Sequence, residues 1–110
     1  MSAGMSAGTA NPVRGETTLT VGGKTVVLRP TFAALVAAEE ELGSLFALVE
    51  RASEGQLRVG EIAALFWHCA DRRSGVTREA VGEAVLAMGL VQSAVPLRAV
   101  LTHILQGRPG

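Results

Sequence analysis

Residues Thr17 to Arg29 read TTLTVGGKTVVLR, two short runs of alternating apolar and polar positions around Gly22-Gly23. A glycine pair between alternating runs predicts a tight β-hairpin, because such turns need φ > 0 and glycine adopts it at little cost. Centring the turn there pairs Val21 with Lys24, Leu19 with Val26, Thr17 with Leu28 and Glu16 with Arg29. One face then carries Thr17, Leu19, Val21, Val26 and Leu28. The other carries Glu16, Thr18, Thr20, Thr25, Val27 and Arg29, mostly polar and expected to face water.

After Pro30 the period changes from two to about 3.6. Thr31 is the expected N-cap of a first helix with Phe32, Leu35, Val36 and Leu42 as its apolar stripe and Gly43 as its C-cap. Ser44 is expected to cap a second helix with Leu45, Leu48 and Val49 inward and Phe46 to one side. Residues 53–60 read as a loop. A third helix, 60–71, is apolar nearly all round, which calls for central burial or cover by a partner. Thr77 caps a fourth helix with Val81, Ala84, Val85 and Met88 on one side, ending near Gly89. Ser93 caps a fifth with Pro96 in its first turn and Leu97, Val100, Leu101, Ile104 and Leu105 as its stripe. The expected fold is α+β, mostly α: a two-stranded antiparallel hairpin followed by four to five short helices. Residues 1–13, with a repeated MSAG, form an expected disordered segment, residues 14–107 one domain, and residues 108–110 a frayed tail.

Composition narrows the function. Ten basic and ten acidic residues give a net charge of zero. Nucleic-acid binding and adhesion to anionic membranes both lose their usual positive field, whereas self-association meets little repulsion. The longest uncharged run, Ala84 to Leu97, is shorter than the ~20 residues a bilayer requires and is interrupted by Gly89, Gln92, Ser93 and Pro96. No membrane partner is expected. One cysteine excludes an intrachain disulfide, and no basic-then-apolar leader opens the chain, so a bacterial cytoplasmic setting is expected, with association to a particle as the variant.

The chemistry-bearing residues are few. His68 and Cys69 are neighbours on a helix, about 100° apart, a poor geometry for a thiol–imidazole pair. A metal site needs more ligands than they and His103 supply. Gly22-Gly23 lacks the GK[ST] of a phosphate loop. The expectation is no enzyme, no cofactor and no metal. Arg72, Arg73 and Arg78 around a helix–turn–helix junction suggest a small DNA-binding regulator, but Glu79 and Glu83 on the second helix oppose phosphate. Trp67, among apolar neighbours, reads first as core and otherwise, with Phe46, as a candidate anchor for a protein partner. Glu39 and Glu40, in the Glu39–Glu41 cluster, are candidate docking groups for a basic one; a solvated face is the simpler reading.

The segment ANPVRGETTLTVGGKTVVLRPTFAALVAAEEELG resembles the start of the gene-transfer-agent and phage tail assembly chaperone family, also described as a tail tube family. The resemblance lies in Arg14-Gly15-Glu16, Gly22-Gly23 and Leu28-Arg29-Pro30-Thr31-Phe32-Ala33-Ala34-Leu35, and covers about a third of the chain. It implies a non-enzymatic helper that binds the tape measure protein during tail morphogenesis; the neutral charge adds the expectation of a homo-oligomer. The alternative it implies is a structural tail tube subunit retained in the particle. No catalytic residues carry over.

Overall fold

The computed structural model describes residues 16–71 and 74–106. Residues 1–15, Arg72, Arg73 and 107–110, with the terminal segments expected above, lie outside the described residues. Strands β1 (Thr17–Val21) and β2 (Lys24–Leu28) pair antiparallel in the expected register, Thr17 opposite Leu28 and Val21 opposite Lys24. Gly22 and Gly23 both take positive φ, 58° and 82°, as a two-residue hairpin with matching twist requires. Leu19, Val21, Val26 and Leu28 are buried against the helices. At the open end the Arg29 Nε–H donates to Glu16 Oε2 at 3.2 Å.

The other face departs from expectation at Val27, which is 2 % exposed, and at Glu16, which is buried at 7 % beside Arg29. Residues Cys69–Asp71 run antiparallel beside β2. Asp71 N–H donates to the Val27 carbonyl at 2.9 Å, Arg29 N–H donates to the Cys69 carbonyl at 2.6 Å, and Ala70 bridges Leu28. This cover comes from 42 residues downstream, beyond the reach of local periodicity. It leaves β1 as the open edge among the described residues. By antiparallel alternation the N–H and C=O groups of Thr18 and Thr20 point outward there, and both residues are exposed.

Four helices follow, α1 (Phe32–Leu42), α2 (Leu45–Ser53), α3 (Val59–Cys69) and α4 (Arg78–Gln106), so the fold is α+β and mostly α. Side-chain caps fix where three of them begin. Thr31, Ser44 and Thr77 accept from the backbone N–H of Ala34, Ala47 and Ala80. Helix α3 starts where Glu61 accepts from the Arg58 backbone N–H at 2.9 Å and from Arg51 Nη1 at 2.8 Å. It is the central helix: Ile62 to Phe66 and Cys69 are buried between α1 and α4. Its all-round apolarity is therefore satisfied within the chain.

Helix α1 turns a different stripe inward than expected. Ala38 is fully buried, with Ala34, Leu35 and Leu42 partly so, while Phe32 stands 85 % exposed and Val36 is exposed too. Ala34, Ala38 and Leu42 recur every four residues and let α1 sit closely on α3; Phe32 falls off that line.

Helix α4 takes in the expected fourth and fifth helices, which part at Gly89, where the fourth was expected to end. Its most apolar stretch has a mean hydropathy of 1.7, and only counted as one unbroken helix is α4 long enough to cross a membrane. Gly89, at φ 83° and ψ 159°, divides it into residues 78–88 and 90–106. Val81, Ala84, Val85 and Val100 pack into the shared core. Helix resumes directly after Gly89, so Ser93 lies inside a turn rather than capping one. It is 1 % exposed, and its hydroxyl has no hydrogen-bond partner. Pro96 lies past the first turn, and Leu105 at the end of the stripe is exposed.

Candidate functional site

The densest polar arrangement joins α1, α3 and α4. Glu41, in the last turn of α1, accepts from Arg78 Nη1 at 2.6 Å, from Arg78 Nη2 at 2.8 Å and from His68 Nε2 at 2.8 Å. The Arg78 guanidinium lies 4.5 Å from the Trp67 ring centroid, and the His68 ring meets Trp67 edge-on at 5.0 Å. Arg78, then His68, hold the Glu41 carboxyl down to about 2. The same contact raises Arg78. Three acids at a helix C-terminus oppose the macrodipole, and two cationic or hydrogen-donating side chains from other helices offset that.

The acidic cluster thus divides by role. Glu39 Oε2 accepts from the backbone N–H of Leu45 at 3.1 Å, tying α1 to the first turn of α2. Glu40 is exposed. Glu41, which sequence reading did not single out, is the structural member, and its partner Arg78 lies 37 residues away. Trp67 is half-buried beneath Arg78, whereas Phe46 on α2 is 68 % exposed. The four anchor and docking residues chosen from sequence therefore do not converge on one site.

A second junction ties the hairpin base to the segment after α3: Arg29 donates to Glu16 through Nε and to Asp71 through Nη1. Two open clefts lie nearby. One, about 270 Å³, runs between Ala33, Ala34 and Ala37 of α1 and residues 74–76. The other, about 560 Å³, is framed by Glu16, Arg29, Phe32, Leu35 and His103. His68, Asp71 and Ser74 also line the first; there the Ser74 hydroxyl accepts from the Val76 backbone N–H at 3.4 Å while His68 turns to Glu41. The one thiol, Cys69, is buried, and that burial pushes it up to about 12. Its neighbour His68 is engaged by Glu41 instead. Among the described residues no three His, Cys, Asp or Glu side chains are placed to hold a metal ion. Of the three arginines of the DNA-binding reading, Arg78 is occupied by Glu41 and Trp67, and Arg72 and Arg73 lie outside the described residues.

Outward, beside charged side chains, stand Phe32, Phe46, Leu86, Leu90, Val91, Val95 and Leu105, and β1 has no neighbour on its outer edge among the described residues. These are features for binding protein. No curated protein and no solved structure matches the chain. A family described as phage tail tube protein, GTA-gp10, matches it over residues 14–107. This corrects the functional expectation. The resemblance was read first as a chaperone that binds the tape measure protein and second as a tube subunit; the family description names the tube protein. The two readings rest on the same structural motif, and no residue in it separates them. With all but its two ends matched, the chain belongs to the phage tail tube protein, GTA-gp10, family.

Proposed function

We propose that the chain is a non-enzymatic structural subunit of the tail tube of a phage-like, gene-transfer-agent particle, retained in the assembled particle and joined there to other tail proteins. The family match over residues 14–107 carries this reading. The physical features agree with it. A tube subunit must present surface to neighbours on several sides, and this fold leaves β1 open and large apolar side chains exposed on α1, α2 and α4. Zero net charge adds no repulsion between copies. Residues 14–107 act as one unit in this reading. Mass spectrometry of purified particles tests it. The chain should be present in stoichiometric amounts; its absence from particles made by cells that express it overturns the proposal.

A further inference from the structure

Residues 90–106, the distal part of α4, are held differently from the rest of the fold. The hairpin and the other helices carry polar ties to their neighbours: Arg29 to Asp71, Glu39 to the Leu45 backbone, Arg51 to Glu61, and Glu41 to His68. Arg78, bound to Glu41, ties the proximal residues 78–88 in the same way. Among the described residues, no ion pair and no hydrogen bond joins residues 90–106 to another element. Packing alone docks them, through Val100, which is fully buried, and Leu97, Leu101 and Ile104, which are partly so. Ser93 works against that packing, because its buried hydroxyl has no partner while docked and gains water once released. The tip fits loosely, with the cleft of about 560 Å³ between His103 and Glu16, Arg29, Phe32 and Leu35.

Gly89 is the joint. Its φ of 83° and ψ of 159° lie in a region that essentially only glycine occupies, and a Cβ there would meet nothing within 4 Å. Glycine is therefore required by the backbone angle and not by space. The chain enters α4 near the hairpin turn, where Lys24 Nζ donates to the Ser74 carbonyl at 3.2 Å. It ends near the hairpin base, where His103 faces Glu16 and Arg29. A strand of 5 residues spans about 17 Å, whereas the 29 residues of α4 would span about 43 Å if straight. The bend at Gly89 is what returns the distal part to the hairpin.

We propose that residues 90–106 are a hinged arm that undocks about Gly89 while the hairpin, α1–α3 and residues 78–88 stay folded. Undocking breaks no polar tie, lets the Ser93 hydroxyl bond water, and frees residue 89 to join one continuous helix. The ties at Glu41, Glu61 and Arg29 persist in both states, so the body keeps its cross-links when the arm leaves. An element held by packing alone is the one that opens first. Opening bares Leu97, Val100, Leu101 and Ile104 together with the part of the core they cover, an apolar surface that the closed chain keeps from water. The inference rests on α4 and not on the tail-tube reading, which an arm that never opens would leave untouched.

Hydrogen exchange of the full chain, read by mass spectrometry, tests the arm, with peptides from residues 94–106 set against peptides from α3. In wild type the arm should exchange at least about tenfold faster than α3 after correction for sequence, because an undocked helix of this length frays in water. Glu41→Gln weakens only the body, whose ties are the same with the arm docked or open. It should therefore speed α3 about fivefold and leave the arm unchanged. Ser93→Ala favours the docked state and should slow the arm about fivefold. Gly89→Ala penalises the bend and should speed the arm about tenfold or more. An arm that exchanges at the rate of α3 overturns the proposal. So does a Glu41→Gln variant that speeds both alike, or a folded Gly89→Ala variant whose arm is unchanged. The first two comparisons decide the question without any change at Gly89.

Discussion

Replacing Glu41 by Gln removes the charge that joins α1 to α3 and α4 while keeping nearly the same shape. The carboxyl is held from its ordinary 4.5 down to about 2, first by the two hydrogen bonds from Arg78 and then by the one from His68. Converted directly at ~1.4 kcal/mol per pKa unit, that shift gives an upper limit of about 3 kcal/mol. The Glu41 side chain is 38 % exposed, so water and salt screen the interaction, and the retained effect is roughly 1 kcal/mol. In a domain of this size that lowers Tm by about 4–8 °C at neutral pH. The effect has a definite pH dependence. The folded carboxyl keeps its charge to lower pH than the unfolded one. Its contribution is therefore complete above about 4.5 and is lost as pH falls towards 2. Urea unfolding of wild type and Glu41→Gln across that window measures the difference. The two midpoints should lie apart at neutral pH and converge in acid. A variant as stable as wild type at neutral pH, or a gap that does not close in acid, would refute the assignment of Glu41 as the junction's anchor.

Two further outcomes follow from buried groups. Ser93→Ala should stabilise the chain by roughly 1 kcal/mol, because it removes a buried hydroxyl without a partner from inside a helix; a lower thermal midpoint would show that the hydroxyl is satisfied. Cys69 should resist iodoacetamide in the native chain at mildly alkaline pH, where about one thiol in a thousand would be ionised three units below its value of about 12. It should react fully in denaturant, and rapid native labelling would contradict its place in the core.

Legibility from sequence tracked the range of the interactions. Hairpin register and three helix caps were readable because each is decided within a few residues: Gly22-Gly23 for the turn, Thr31, Ser44 and Thr77 for the caps. Misreadings fell where distant residues decide. Val27 is buried on the strand whose edge Cys69–Asp71 pairs, and Phe32 is exposed because α3 accepts the alanine line of α1. Ser93 looked like a cap because it precedes a proline at cap spacing. Helix instead resumes directly after Gly89, so the serine is internal and buried. The acidic cluster could be located, but only the position of Arg78 separates the role of Glu41 from that of Glu40. The chaperone expectation was corrected by the family match and not by any residue, since both roles would use apolar surface and neither requires a catalytic group.

The central claim, that this chain is a building block of the tail tube, is tested most directly by absolute quantification of the protein in tails separated from purified particles, beside a known tail component. A tube subunit repeats along the tail, so the account predicts many copies per tail. Abundance in the producing cells with none in the separated tails would contradict it.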